Sequence, residues 1–494
     1  MSADAAAQAA AARSVIAYFQ QYAQNSGYDE MFAADGSVRP HYMALFESLA
    51  QMSPSQFERV ARTVDVSFKN LGITFTVYSD LASGIERLLP FDPLPRILPE
   101  AEWDHLERGI VQRVTAINMF LHDLYHRQLI LQDRVLEPYR IFTGANFRRE
   151  MIGVDVPRDV YTHITGIDLV RTAEGHFAVL EDNCRVPSGV SYLLANRMVM
   201  KRVFPNLFSH YQVRSVDEYP SMLRDALQYV APSSAEDKPT IVLLTPGIYN
   251  SAYFEHTYLA QHMGVSLVEG RDLLVDSNTL YMRTIAGLQK VDVVYRRIDD
   301  DFIDPLTYRR DSLLGPPGLM HAVRAGNVTL ANAIGTGIAD DKGIYPFIPA
   351  IIRYYLGEDA ILPNIPTYVM TDAAQRQHTL VNLERMVVKR VNEAGGYGML
   401  FGPQSTARQR AEFAEQIEAN PRDFIAQDVI ELSSSPCLVD GAFEPRRVDL
   451  RPYVIYGEKV RVIPGGFTRV AMQRGSYIVN SSQGGGSKDT WVLR

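Results

Sequence analysis

At 494 residues, with 46% hydrophobic and 21% charged residues, the chain is too long for one ordinary core and suits a folded protein of two or three packed domains. A formal net charge of −8 supplies no broad basic surface, which argues against nucleic acid as a partner. The two cysteines, Cys184 and Cys437, are too few for a disulfide framework or a Cys-rich zinc site, and no apolar run reaches the roughly 18 residues of a membrane span, so a soluble, cytoplasmic protein is expected.

Residues 1–24 are Ala-rich, with Asp4 near the front, and read as a helix with small residues on its exposed face, not as a secretion signal. Residues 1–135 read mainly as helix. Ile110, Val114, Ile117, Leu121 and Leu124 recur there at three- and four-residue steps, forming one apolar stripe. The pattern then shifts to short strands. Residues 164–170 and 177–180 flank the turn Thr172-Ala-Glu-Gly-His176 as a hairpin, followed by a loop at 183–189 and a helix at 192–204. Beyond a polar linker at 231–238, an apolar strand at 240–245, a helix at 254–262 and strands at 265–268 and 291–295 predict a small parallel sheet. Later strands are read at 386–389, 424–430 and 447–455, with a helix at 406–420 and a polar, Gly-rich segment at 479–488.

Three groups of residues could carry chemistry. Asp168 on one hairpin strand, with Glu181 and Asn183 two apart on the other, offers hard oxygen ligands suited to Mg²⁺ over a triphosphate; a solvated hairpin end is the plain alternative. Lys389 ends a strand before Gly395, Gly396, Tyr397, Gly398 and Gly402. That arrangement can nest a phosphate among backbone N–H groups, or simply turn the chain at positive φ. Gln427, Asp428, Val429 and Ile430 lie on the following strand, whose backbone edge could read an adenine or could be an ordinary sheet strand. The third group is cationic: Arg447, Arg451, Arg461, Arg469 and Lys488, suited to phosphate or to surface salt bridges. The segment 482–488 could cradle an anion or be a loose tail. Asp299-Asp-Asp301 after Arg296-Arg297 reads as a solvated loop or a pocket for a cationic amine; His163, His256 and His262 read as structural.

Gly166-Ile-Asp-Leu-Val170, Val179-Leu-Glu-Asp-Asn-Cys-Arg-Val-Pro-Ser-Gly189, Tyr295-Arg-Arg-Ile-Asp-Asp-Asp301, Ala339-Asp-Asp-Lys-Gly343, Gly395-Gly-Tyr-Gly398, Val448-Asp-Leu-Arg451 and the segment 479–491 occur in one order. Together they resemble the circularly permuted type 2 ATP-grasp proteins, relatives of the ATP-grasp domain of glutathionylspermidine synthetase, from about residue 105 onward. The resemblance implies an α+β (α/β) ATP-grasp fold in permuted order. An N-terminal mainly helical region (1–135) precedes a metal-binding segment moved to the front (136–235). A parallel-sheet pre-ATP-grasp substrate domain (236–335) and a nucleotide-binding lobe with the Gly-rich segment (336–494) follow.

By the same resemblance, Asp168, Glu181 and Asn183 hold Mg²⁺. Lys342 and Lys389 reach the phosphates of ATP, Gln427, Asp428, Val429 and Ile430 receive adenine, and Arg451, with Arg469, lies near the phosphates. Many relatives place an arginine two residues before the metal aspartate, where this chain has Gly166, so Arg148, Arg185 or Arg451 would supply that charge. The implied activity is ATP-dependent joining of a small-molecule or peptide carboxylate to an amine through an acyl phosphate, with transglutaminase-like and helical proteins as companions. A regulatory ATP-binding protein and a phosphotransferase acting on a small molecule are the alternatives.

Overall fold

The computed structural model describes residues 14–19, 22–25, 27–76, 86–392, 398–480 and 484–494. Much of the expected Ala-rich helix, and Gly395, Gly396 and Tyr397 of the loop after Lys389, lie outside them. Among the described residues no helix is long and apolar enough to cross a membrane.

The expected hairpin forms half of a four-stranded antiparallel sheet ordered Val460–Val462, Tyr453–Tyr456, Ile164–Arg171, Phe177–Asn183. Gly175, at φ +88°, makes its turn. Ile167, Leu169, Phe177 and Val179 face the long helix Glu100–Tyr125, packing with its Trp103, Leu106, Ile110 and Val114. Strict alternation would then place Asp182, not Glu181, on the opposite face. A bulge intervenes: Asp168 pairs with Glu181 but Leu169 pairs with Val179, leaving Leu180 as the extra residue. Leu180 and Glu181 therefore both turn to the opposite face with Asp168, while Asp182 turns back to Arg113, which holds both its oxygens at 2.6 Å.

The expected parallel sheet is present, ordered Thr329–Ala331, Val293–Arg296, Ile241–Leu244, Ser266–Val268, with the helix Tyr253–Met263 connecting its last two strands. Its C-terminal edge meets the hairpin. Asn332, just past the strand Thr329–Ala331, accepts from the Ile164 amide at 2.8 Å and donates to the carbonyls of Ile164 (2.6 Å) and Cys184 (2.7 Å). A third sheet, ordered Thr367–Val369, Phe424–Asp428, Met386–Arg390, Leu400–Phe401, is antiparallel and has its own core of Met370, Leu383, Met386, Val388, Leu400, Phe424 and Ala426. The helices Ala373–Val381 and Ala407–Ala419 stand beside it. The first is capped by Asp372 and the second by Thr406 and Gln409 in a reciprocal box. Alternation along these strands leaves Val387, Lys389 and Gln427 facing the hairpin across a cleft.

Two expectations are corrected. The segment 482–488 is neither cradle nor loose tail beyond residue 485: Gly486–Val492 is a wholly buried strand, parallel to Phe91–Leu98 in the part of the chain read mainly as helix. Lys488 donates there to Asp92 and to the Leu94 carbonyl (2.9 Å), so it is a structural cation, not a phosphate ligand. The single strand read at 447–455 is also broken, into Ala442–Arg447 and Tyr453–Tyr456, with Pro452 between them.

Candidate functional site

Asp168 is 1% exposed and lies at the centre of the cleft. Arg451 grips both its oxygens, Nε on Oδ1 and Nη2 on Oδ2 (2.8 Å), and Arg469 Nη2 donates to Oδ2 at 2.6 Å. Burial pushes the Asp168 carboxyl up, but the two guanidinium charges outweigh it and hold the group well below the usual carboxylate range. Arg469 is itself fixed by Asp449, whose oxygens accept from its Nε at 3.0 and 2.9 Å. Asn183 turns its Nδ2 to the Gly166 carbonyl (3.2 Å) and Asp168 Oδ1 (3.4 Å). Glu181, directly across the sheet, keeps looser company: Lys342 Nζ lies 3.6 Å from Oε2 and Arg451 Nη2 lies 3.8 Å from Oε1.

On the facing lobe, Lys389 Nζ donates to Gln427 Oε1 at 2.8 Å, and Gln427 Nε2 donates to Thr367 Oγ1 at 2.9 Å. Burial, with Lys342 adding to it, pulls the Lys389 ammonium down to about 8, against the opposing charges of Glu181 and Asp168. Lys389 therefore carries its charge at neutral pH and loses it as pH rises through about 8. An anion held by this ammonium would bind about tenfold more weakly across that rise, the scale of one charge-assisted hydrogen bond. A titration with fluorescent ADP at several pH values checks this. Lys389→Met should bind weakly throughout and show no step near pH 8.

Between the two lobes lies a cavity of about 180 Å³. One end is apolar, walled by Leu180, Val387, Met399, Phe401, Ile430 and Leu432, with Asp428 and Val429 alongside. The other end holds Asp168, Glu181, Lys342, Lys389 and Arg469. An apolar slot leading to a charged end matches the two chemical halves of a nucleotide. A second cavity of about 130 Å³ adjoins it, and Glu181 and Lys342 belong to the walls of both. Its lining is polar: Asn146, Asn183, Arg185, Asp299 and Asp340 among others. Arg185 joins the two acids, with Nε 3.1 Å from Asp340 and Nη1 3.6 Å from Asp299. Burial lifts the Asp340 carboxyl to about 6, although Arg185 and the Cys184 amide oppose the rise.

The structure thus brings Asp168, Glu181, Asn183, Lys342, Lys389, Gln427, Arg451 and Arg469 together, and sets Arg185 in the adjoining cavity. Gly398, at φ +63°, closes the described part of the loop after Lys389. Of the three arginines considered beside Gly166, Arg451 is the one that lies over it: a Cβ on Gly166 would sit 3.3 Å from Arg451 Cδ. Arg148 instead pairs with Asp300 (3.3 Å) and Asp301 (2.8 Å), leaving Asp299 as the member of that acidic run that faces the second cavity. Arg447 serves Glu431 at 2.7 Å and stacks on Tyr477, and Arg461 is exposed on the strand Val460–Val462. Asp449, Met399, Phe401 and Tyr477 were not singled out by sequence. Asp449 had a signal, standing between Val448 and Leu450 in the run that ends at Arg451, and Met399 and Phe401 lie in the Gly-rich run after Lys389; Tyr477 had none.

The donor chemistry fits Mg²⁺, since Asp168, Glu181 and Asn183 all offer side-chain oxygens from neighbouring strands. Among the described residues no cluster of three or more His, Cys, Asp or Glu could hold a metal ion, so the fit rests on two carboxylates and an amide.

The family model for circularly permuted ATP-grasp type 2 proteins matches residues 95–471, and the chain belongs to that family. The α+β ATP-grasp fold expected from sequence is borne out with it. A protein of Synechocystis sp. is 52% identical over 96% of this chain and 98% of its own length. A Frankia casuarinae protein, provisionally named glutamate–cysteine ligase 2-2, is 41% identical over 95% of this chain but only 54% of its own. Among solved structures, a glutathione synthetase-like effector from Globodera pallida shares the fold, with a TM-score of 0.54 at 9% identity, covering 90% of this chain and 98% of that one.

Proposed function

We propose that the protein is an ATP-dependent ligase that joins a carboxylate to an amine. The observation that carries this reading is the pair of cavities meeting at Glu181 and Lys342. ATP would lie in the first, with its base between Leu180, Met399 and Ile430 and its phosphates toward Lys389, Lys342 and Arg469. The carboxylate would lie in the second, within reach of Arg185 and Asn183. A carboxylate oxygen attacks the γ-phosphorus, the bond to the β–γ bridging oxygen breaks, and ADP leaves with the electron pair. The amine nitrogen then attacks the acyl carbon, the bond to the phosphate oxygen breaks, inorganic phosphate departs, and the nitrogen gives up a proton to solvent.

Such chemistry asks a protein mainly to position groups and neutralise charge. Asp168, Glu181 and Asn183 would hold Mg²⁺, which when bound would supply charge neutralisation to the nucleotide phosphates. Lys342 and Lys389 share that task, and the apolar walls of the slot keep water away from a hydrolysable acyl phosphate. The name of the Frankia relative supports a ligase, although it belongs to a protein nearly twice as long as the segment matched here. A cytoplasmic setting, and companions of the transglutaminase-like and helical kinds, belong to the same proposal.

ADP release measured against pools of amino acids, small peptides and polyamines tests it. Release should depend on an added carboxylate, and hydroxylamine should trap the acyl phosphate as a hydroxamate. Tight ATP binding without turnover under every pool would overturn the ligase in favour of a regulatory ATP-binding protein. ADP release with phosphate retained on the product would favour a phosphotransferase.

A further inference from the structure

Both oxygens of Asp168 are engaged by arginine N–H groups, and Asn183 presents an N–H to Oδ1. Around this point the carboxylates Asp168, Glu181 and Asp449 lie among the cations Arg451, Arg469, Lys342 and Lys389, with Asp340 beside Lys342, so cations match the carboxylates they face. A bare divalent cation approaching the site finds its carboxylates already balanced by cations and must break charge-assisted hydrogen bonds before it reaches Asp168. A polyphosphate reverses both conditions. Its oxygens suit the guanidinium fork as well as a carboxylate does, and its charge takes up the cations that Asp168 would otherwise hold.

The two arginines are held differently. Arg469 is anchored by Asp449 through both Nε and Nη2, so it stays in the site whatever Asp168 does. Arg451 has, besides Asp168 and the distant Glu181, a 3.3 Å bond from Nη1 to the Ser188 carbonyl, and its stem lies in the groove left by Gly166. It is the member with fewer ties to break.

We propose that Arg451 is an exchangeable clamp on the metal carboxylate: it yields Asp168 to a divalent cation only when nucleotide phosphates take its guanidinium, so the site accepts cation and nucleotide as a pair. The inference rests on the nucleotide site assigned above. The exchange makes the two affinities mutually dependent, each ligand strengthening the other by the same factor.

Manganese binding followed by electron paramagnetic resonance, without nucleotide, tests the clamp directly and needs no turnover. Wild-type protein should bind Mn²⁺ weakly, and Arg451→Gln should bind it about tenfold more tightly or better, the worth of the charge-assisted bonds removed. Arg451→Lys, which keeps the charge but loses the fork, should fall between them and guards against a folding defect in the first variant. Glu181→Gln added to Arg451→Gln should cancel the gain, locating it at this site. Equal Mn²⁺ affinity in wild type and both Arg451 variants would overturn the clamp. Fluorescent ADP titrated in parallel keeps the two ideas apart: no ADP binding by the wild type would instead remove the nucleotide site itself.

Discussion

Glu181→Ala should lower ATP turnover by about a hundredfold or more while leaving the fold and its stability almost unchanged. The side chain is 27% exposed, and its contacts to Lys342 and Arg451 are 3.6 and 3.8 Å, too long for tight hydrogen-bonded pairs. Ion pairs of that sort contribute about 0–1 kcal/mol, so the thermal midpoint should move little. The position, however, is shared by both cavities, at the place where the phosphoryl group would change partners. Removing one group that stabilises charge in a transition state typically costs about 10²–10³ in rate. ADP release and a thermal melt on the same sample separate the two effects. Turnover near the wild-type rate would remove Glu181 from the phosphoryl-transfer site.

Asp168→Ala should behave differently, losing stability as well as turnover. Its carboxylate is the shared partner of Arg451 and Arg469, whose side chains are 14% and 8% exposed. Taking it away leaves buried positive charge uncompensated, at a cost of about 3–5 kcal/mol. Urea denaturation should show an earlier midpoint at similar slope. The sign of the pH effect follows from the lowered pKa of this carboxyl in the folded state. The stabilisation is complete above the unfolded value of about 4 and is lost as the pH falls toward the lower folded value. Asp168→Ala should therefore differ most from wild type near neutrality and least in strong acid. A variant as stable as wild type at pH 7 would mean that the arginines find other partners, and the clamp would lose its premise.

That Glu181 and Asn183 share a face, across a Gly-bearing turn from Asp168, was legible because alternation and turn are local signals; that the face is the one Asp168 occupies was not. The bulge at Leu180 was not legible: no feature of the run from Val179 to Asp182 announces which residue is the extra one, and the packing of Phe177 and Val179 on the long helix decides it. The strand Phe91–Leu98 was hidden by Pro93 and Pro95, residues that argue against a strand but that this edge accommodates. Lys488 looked like part of a cationic run because its partner, Asp92, is 396 residues away. The choice among Arg148, Arg185 and Arg451 has the same character. Each had the right chemistry, and only the crossing of the Arg451 stem over Gly166 separates them.

The parallel pairing of Phe91–Leu98 with Gly486–Val492 bears on how the molecule is made. At a ribosomal pace of about 5–20 residues per second, the first of these strands emerges roughly 20–80 s before its partner exists. Throughout that interval the nascent polypeptide exposes an unpaired apolar edge, of the kind that invites association with other chains. Pro93 and Pro95, which made the strand hard to see, remove two backbone donors from its opposite edge, so that only the side destined for Gly486–Val492 stays open while it waits.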